Sequence, residues 1–243
     1  MVTGLAAWFL VTKLGLFPPL LLPAPGAVWS DFVLIATRGY GGTSLWLNVA
    51  VSLERLALGF GAAAIVGVSL GLAMGVSKVA KGLFDPLIEF YRPLPALGYL
   101  SLLVIWFGIG DTSKLLVVGL GGLPAVVLTT AGAVRSIRRE RLEGAKSLGL
   151  GSFQLFRYVI VPSCLPYILT GLRVGFAFSF TTLVSAEMIG STSGLGWMVL
   201  DATEYLQTST VIVDIVLMGM TGIAVDRGLV YLRRRLAPWA GRG

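Results

Sequence analysis

Histidine is absent from the 243 residues of this chain, and cysteine occurs once. Without histidine, the chain lacks the usual general base of hydrolytic sites and the commonest protein ligand of transition metals. A single cysteine, Cys164, excludes an internal disulfide bond and a cysteine-based metal site. We therefore expect no catalytic residue, no metal site and no cofactor bound by this chain, which is not expected to be an enzyme.

Charged residues are also scarce, at 13% of the chain, whereas about a quarter of a soluble domain is charged. Hydrophobic residues make up 56% of the sequence, and the mean hydropathy is +0.86. This composition predicts a polytopic membrane protein in contact with lipids. The net charge of +7 would suit nucleic-acid binding, but the basic residues lie in short loops beside apolar segments, so we expect no nucleic-acid partner.

Six apolar segments predict an all-α protein with about six transmembrane helices in a single domain, residues 1–243. Between the second and third segments, residues 77–94 are polar, and Pro86, Pro93 and Pro95 are expected to break them up. Residues 27–37 predict an amphipathic helix at the outer interface, with Val28, Trp29, Phe32 and Ile35 on one side; a plain loop is the alternative. The predicted spans are residues 2–16, 56–76, 96–109, 115–134 (kinked at Pro124), 162–186 and 211–232.

Small residues recur at every fourth position of the second predicted span. Such a stripe lets two helix backbones approach closely in lipid. We expect it to pack against another helix of the same chain, with a subunit interface as the alternative. The stripe consists of Gly59, Ala63, Gly67, Gly71 and Gly75.

The distribution of Lys and Arg predicts the orientation in the membrane. Of the 19 basic residues, three lie in 77–95, six in 135–158 and five in 227–243, whereas the opposite loops hold only Arg38 and Lys114. Positive residues favour the cytoplasmic side. We therefore expect both termini in the cytoplasm and residues 190–210 in an external loop.

The longest polar interruption is the segment 138–162, which we call the coupling loop. Residues 138–148 are good helix formers, and Gly149 and Gly151 can supply the positive φ angles that end a helix. Ser152 is predicted to cap a second short helix, 153–159, before the next apolar span begins. The pattern indicates a helix, a glycine corner and a helix at the cytoplasmic membrane surface.

The coupling loop resembles the EAA loop of permease subunits of binding-protein-dependent ABC importers. The matching residues are Glu143-Gly144-Ala145, then Gly149 after three residues, and Val159-Ile160-Val161-Pro162 after nine more. The family pattern has alanine at 144, isoleucine at 159 and leucine at 161. Glycine in place of alanine costs a helix about 1 kcal/mol, and the other two changes are conservative.

The resemblance covers residues 22–239 and is strongest to the group that imports taurine, alkanesulfonates and nitrate. The segment EFYRP (89–93) and the tail 234–239 are similar to taurine permeases in particular, whereas residues 95–101 depart from the proline- and tryptophan-rich version of that group. Other segments that carry the resemblance are 85–86, 104–114, 171–173, 186–188 and 194–196.

The resemblance implies the fold of a type I ABC importer permease in a bacterial inner membrane. It implies a homodimer, two ATP-binding subunits and an extracytoplasmic substrate-binding protein as partners. ATP and Mg²⁺ would be bound by the ATP-binding subunits, and this chain has no GxxxxGK[ST] phosphate-binding loop. The implied substrate is taurine or a related small sulfonate, with nitrate or another small anion or organic solute as the alternative. A passive channel or secondary transporter is the alternative of a different class.

In this interpretation an ATP-binding subunit docks on the coupling loop. Leu142, Ala145 and Leu148 offer it apolar contacts at i, i+3 and i+6. Glu143 could bind across the interface or hydrogen-bond the backbone of its own loop, and we favour the internal role. The expected docking residues are Arg141, Leu142, Glu143, Gly144, Ala145, Leu148, Gly149 and Pro162.

Candidates for the translocation path or its gate are Arg173, Glu187, Trp197 and Tyr99. Arg173 follows Pro162 by eleven residues, which places it about 16 Å along the helix and near mid-membrane. There it could meet a sulfonate or nitrate, or pair with a carboxylate of the chain. Glu187, at the outer end of the fifth span, could attract the ammonium group of taurine or help to close an outer gate.

Overall fold

Helices account for the architecture of residues 2–239, which are the residues that the computed structural model describes. Within this range there are eleven α-helices, one π-helical turn (Phe156–Ile160) and no β-strand, so the all-α prediction is confirmed. The helices are α1 (Val2–Lys13), α2 (Pro25–Arg38), α3 (Leu45–Val76), α4 (Lys78–Tyr91), α5 (Ala96–Phe107), α6 (Asp111–Arg135), α7 (Arg139–Ser147), α8 (Ser152–Leu155), α9 (Val161–Glu187), α10 (Leu195–Glu204) and α11 (Thr208–Leu236).

Four of these helical segments are long and apolar enough to cross a membrane: α3, α6, α11 and the continuous helix Ser152–Glu187. α4 and α5 qualify together as a fifth span, bent by 103° at the break between them. The predicted first span, residues 2–16, contains only the 12-residue α1, which is shorter than the roughly 17 residues that a bilayer requires. The described residues therefore hold four or five candidate spans, where the sequence predicted about six.

The prediction that prolines break up the stretch 77–94 is confirmed at Pro93 and Pro95, which lie between α4 and α5, but it is wrong at Pro86. The hydroxyl of Ser77 caps α4 by accepting a hydrogen bond from the backbone N–H of Ala80 at 3.2 Å. Pro86 lies inside α4 without ending it. Packing offsets the lost hydrogen bond, since Ile88 is buried in a cluster with Met74.

Contacts between residues divide the chain into two compact units. Within the described residues, the first unit comprises the chain up to Arg55 together with Leu183–Ile223, and the second comprises Leu56–Thr182 together with the residues from Ala224 onward. A single permease domain over residues 1–243 stays a prediction.

In the second unit, the stripe of small residues on α3 packs against α6. A Cβ atom added at Gly71 would lie 2.6 Å from the Cβ of Thr130, closer than real side chains approach. The prediction of a helix seam within the chain is therefore confirmed. The same close approach occurs between Gly59 and Val118, Gly67 and Val126, and Gly75 and Val134.

α6 and α9 are packed as closely within the same unit. A Cβ added at Gly122 would lie 2.7 Å from the carbonyl oxygen of Gly175. The hydroxyl of Ser179 donates to the carbonyl oxygen of Val118 at 2.9 Å. Small residues and a buried interhelical hydrogen bond thus fix these two spans against each other.

The predicted amphipathic helix 27–37 is confirmed as α2, in the first unit. Its residue Ile35 is buried in a cluster with Leu45, Met198 and Val213. Trp29 differs from the prediction because it is 66% exposed and lies outside the packed side of the helix. The predicted external loop 190–210 contains α10, which supplies Met198 to that cluster.

Candidate functional site

The coupling loop has the predicted order of a helix, a glycine corner and a helix. α7 is followed by Gly149, whose φ of +83° lies in the left-handed region that favours glycine. The predicted cap at Ser152 is wrong, because Ser152 is already the first residue of α8 and the N–H of Gly151 is satisfied by the side-chain oxygen of Gln154 at 2.9 Å. α8 and the π-helical turn then run without interruption into α9, so Pro162 lies inside the continuous helix Ser152–Glu187 and does not open a span as the sequence had suggested.

The apolar residues of α7 have different environments. Leu148 is 82% exposed, and Ala145 is half-buried. Leu142 instead packs against the buried cluster that contains Ile160 and Cys164. Leu142 therefore contributes to the core of the second unit, whereas Leu148 is free to contact another protein.

Three charged side chains of α7 contact their own chain. Arg139 Nε donates to Glu143 Oε1 at 2.6 Å across one helical turn, and both side chains are largely exposed. Glu143 thus has an internal partner, but that partner is a side chain and not the loop backbone. Arg141 Nη1 donates to the hydroxyl of Ser163 at 3.2 Å, which links α7 to α9.

Exposed aromatic side chains on the coupling loop were missed in the sequence. Phe153 and Tyr158 are 74% and 65% exposed, and they line a shallow cavity of about 420 Å³ with Phe156, Arg157 and Val161. Large aromatic residues in a polar segment were the signal that could have identified them. Together with Leu148 they give this loop apolar surface of the kind that anchors protein interfaces.

Arg173, the first candidate for the translocation path, is paired within the second unit. Its Nε and Nη2 atoms donate to the two carboxylate oxygens of Asp226, each at 2.8 Å. Of the two roles expected for Arg173, a contact with solute or a pair with a carboxylate of the chain, the structure shows the pair. About a third of each side chain is exposed, so the pair is accessible.

Glu187, the second candidate, is buried in the first unit. It is 1% exposed and lies 2.9 Å from Arg55 Nη1. Its carboxylate also accepts hydrogen bonds from the hydroxyl of Ser52 at 2.8 Å and from the N–H of Gly196 at 3.0 Å. The expectation that Glu187 attracts an external ammonium group is wrong in this structure, because the carboxylate is enclosed and its oxygens are already bonded.

The same group of residues holds the segment 193–196. Asn48 Oδ1 accepts from the N–H of Gly194 at 2.9 Å, and Ser52 Oγ accepts from the N–H of Leu195 at 2.9 Å. Arg55 Nη1 donates to the carbonyl oxygen of Ser193 at 2.9 Å. We call Asn48, Ser52, Arg55 and Glu187 the anchor cluster. Asn48 and Ser52 were missed in the sequence. Ser52 follows Asn48 by four residues and precedes Arg55 by three, and this spacing places all three on one face of a helix.

The aromatic candidates contribute to packing. Trp197 lies edge-on to Tyr40, with ring centroids 5.9 Å apart, and Tyr99 lies 5.3 Å from Tyr91. The hydroxyl of Tyr40 donates to Asp201 at 2.8 Å. Burial, together with this hydrogen bond, raises the pKa of Tyr40 above its ordinary value, so the phenol stays protonated.

Residues 63–238 match the protein family described as binding-protein-dependent transport system inner membrane component. The chain is 43% identical over 238 residues to the taurine transport system permease protein TauC of Escherichia coli, covering 98% of this chain and 86% of that protein. It is 34% identical over 234 residues to the putative aliphatic sulfonates transport permease protein SsuC of the same organism, covering 96% and 88%. Identity to the bicarbonate transport system permease protein CmpB of Synechocystis is 28% over 242 residues, covering 96% and 85%.

Among solved structures, the chain is similar to a chain of the MetNI methionine ABC transporter in inward facing conformations. The TM-score is 0.62 at 16% identity, and the match covers 76% of this chain and 97% of that chain. At this level of identity the similarity shows the fold alone.

Proposed function

Because the chain belongs to the family of inner membrane components of binding-protein-dependent transport systems, we propose that it is the permease subunit of an ATP-driven importer for taurine or a related small sulfonate. The observation that carries this proposal is the 43% identity to a taurine permease over 98% of this chain. The similarity to an aliphatic sulfonate permease supports the sulfonate class. The similarity to a bicarbonate permease keeps a small inorganic anion as the second candidate.

The chain is a multi-pass protein of the bacterial inner membrane. In the proposed assembly, two copies of the chain form a homodimer that binds two ATP-binding subunits and receives solute from an extracytoplasmic binding protein. ATP and Mg²⁺ are held by the ATP-binding subunits, and this chain binds no nucleotide. The coupling loop and the arginine-rich end of α11 lie in the cytoplasm, as the distribution of basic residues favours.

The coupling loop is suited to transmit the movement of an ATP-binding subunit. Leu148, Phe153 and Tyr158 offer the partner exposed apolar surface. Leu142 and Phe156, from the same loop, pack against a cluster that includes Val134 of α6 and Cys164 of α9. A displacement of α7 is therefore passed to α6 and α9.

Replacing Gly149 with aspartate tests this role in proteoliposomes that contain the permease, the ATP-binding subunits and the binding protein. The left-handed φ at Gly149 disfavours a side chain by about 1–2 kcal/mol, and the added charge faces the proposed partner. We expect ATP hydrolysis to lose its stimulation by binding protein, and taurine uptake to fall with it. Uptake that persists without ATP would instead favour a channel or secondary transporter.

Gly15→Asp is the matched control. Gly15 also has a positive φ, of +64°, and a side chain there meets nothing within 4 Å. This variant carries the same strain and charge outside the coupling loop, so its stimulated hydrolysis should equal that of the unmodified chain. Equal hydrolysis by the Gly149→Asp and Gly15→Asp complexes would contradict the docking role.

A further inference from the structure

A cavity of about 250 Å³ lies in the second unit beside the break between α4 and α5. This volume is below the roughly 300–1,000 Å³ of pockets for drug-sized ligands, and it suits a smaller solute. The lining combines one guanidinium and one hydroxyl with apolar side chains. The wall of the cavity includes Arg92 at the end of α4, Pro124, Ala125 and Thr129 of α6, and Val174 and Phe178 of α9.

The cavity lies at mid-span. Pro124 is the fourteenth of the 25 residues of α6, and Val174 is the fourteenth of the 27 residues of α9. Since both helices are candidate membrane spans, their midpoints lie near the centre of the bilayer. Solute sites of membrane transporters are commonly found at this depth, next to discontinuous helices. The 103° bend between α4 and α5 is such a discontinuity.

Arg92 differs from Arg55 and Arg173, which both form ion pairs. Arg55 is paired with Glu187, and Arg173 is paired with Asp226. No carboxylate of residues 2–239 lies within ion-pair distance of Arg92. A cation at membrane depth costs several kcal/mol unless it meets a counter-ion or a water-filled path. The cavity therefore presents one guanidinium without a protein carboxylate to neutralise it.

We propose that this cavity is an anion-binding station on the translocation path, in which the guanidinium of Arg92 binds the sulfonate group of the solute. A planar guanidinium donates several parallel hydrogen bonds to an oxyanion, which a lysine ammonium cannot do. The apolar wall formed by Val174 and Phe178 suits the short hydrocarbon part of the solute. Thr129 donates its hydroxyl proton to the carbonyl oxygen of Ala125 at 2.7 Å, so the hydroxyl oxygen is left to accept a bond from an ammonium group.

This inference rests on the proposed function, and the same oxyanion chemistry could be supplied by an anionic lipid headgroup. The experiment therefore uses the complex of permease and ATP-binding subunits in nanodiscs, made either of phosphatidylcholine alone or with phosphatidylglycerol added. Equilibrium binding of radiolabelled taurine is measured for the unmodified chain and for Arg92→Gln and Arg92→Lys. ATP-driven taurine uptake is measured in parallel in proteoliposomes with the binding protein.

We expect Arg92→Gln to weaken taurine binding about tenfold to a hundredfold, as for loss of a hydrogen-bonded charge. Arg92→Lys should bind with intermediate affinity, because it keeps the charge and loses the planar donor geometry. Ala125→Phe fills the cavity without changing a charge, and it should also weaken binding. Arg38→Gln, which removes one exposed positive charge in the other unit, is the control and should bind taurine as the unmodified chain does.

Each result of these experiments either supports or overturns the proposed anion station. If Arg92→Gln binds and takes up taurine as the unmodified chain does, the proposed anion station is overturned. ATP-driven uptake by the unmodified chain would still support the proposed function in that case. Loss of copurifying phosphatidylglycerol in Arg92→Gln, with taurine binding unchanged, would assign the cavity to a lipid headgroup and also overturn it. If the unmodified chain imports nitrate but not taurine, the proposed sulfonate function fails, and an Arg92-dependent nitrate affinity would still uphold an anion station.

Discussion

Replacing Glu187 with glutamine tests whether a buried ion pair holds the segment 193–196 in place. Arg55 and Glu187 lie 2.9 Å apart, with side chains 9% and 0% exposed. Removing one charge of a buried, hydrogen-bonded pair of this kind costs about 3–5 kcal/mol. Glutamine keeps the size of the side chain and one acceptor oxygen, so the cost arises from the lost charge and not from a cavity.

The ion pair between Arg173 and Asp226 supplies a matched comparison. The side chains of Arg173 and Asp226 are 34% and 37% exposed, so protein encloses the charge that remains when Asp226 is replaced by asparagine much less than it encloses Arg55. Where water reaches a pair of this exposure, the pair contributes about 0–1 kcal/mol. The free energy of unfolding is measured for both variants by titration with sodium dodecyl sulfate in mixed micelles. Equal costs for Glu187→Gln and Asp226→Asn would refute the reasoning from burial.

Two local readouts separate the anchor cluster from a general loss of stability. The backbone N–H of Gly196 donates directly to Glu187, so its hydrogen exchange should accelerate in Glu187→Gln more than that of amides in the second unit. The double variant Arg55→Gln/Glu187→Gln should lose less free energy than the sum of the single variants, because the two side chains are in contact and each single variant already removes their interaction. Strict additivity would show that the two side chains do not interact.

Three further substitutions have expected outcomes that can be checked in the same micelles. Gly71→Leu should lower the free energy of unfolding by about 1–3 kcal/mol or more, because an added Cβ meets Thr130 at 2.6 Å; an unchanged value would contradict the seam. Gly144→Ala should slow hydrogen exchange in α7, as expected for about 1 kcal/mol of helix stability, since the new methyl group meets nothing within 4 Å. Asp214 is fully buried, and its carboxylate oxygens have no hydrogen-bond partner among the described residues, so Asp214→Asn should unfold at the same or a higher temperature. A marked loss of stability in that variant would reveal a partner for the charge.

Periodic patterns in the sequence predicted the parts of this fold that depend on one helix at a time. The four-residue repeat from Gly59 to Gly75 correctly indicated a seam within the chain, because small side chains on one face leave a groove for any neighbouring helix. The glycine corner at Gly149 was also predicted, since only a residue tolerant of positive φ ends the helix there. α4 was missed because its support comes from distant residues: Ile88 packs in a cluster with Met74, Val127 and Ala131.

The sequence could predict which charged residues belong to the candidate site, but not which of them form ion pairs with each other. Arg173, Glu187 and Arg55 were recognisable as charges near apolar spans, but nothing local determines that Glu187 meets Arg55 and that Arg173 meets Asp226. Lys114 shows the same limit. The sequence placed it in a loop, whereas it is 5% exposed within the first turn of α6. Partners separated by 53 to 132 residues are chosen by the tertiary fold.

The ion pairs Arg55–Glu187 and Arg173–Asp226 differ in the free energy that would be needed to separate them during an alternating-access cycle. Opening a buried pair such as Arg55–Glu187 exposes two charges to a region without water, and the cost of about 3–5 kcal/mol would have to be met in each cycle. The side chains of Arg173 and Asp226 are 34% and 37% exposed, so where water reaches the pair, separating its members costs about 1 kcal/mol or less. A movement between α9 and α11 at Arg173 is therefore far less costly than a movement of the segment 193–196 away from α3. If the proposed cycle operates, the anchor cluster belongs to the part of the chain that stays rigid, and the contact between Arg173 and Asp226 belongs to the part that can open.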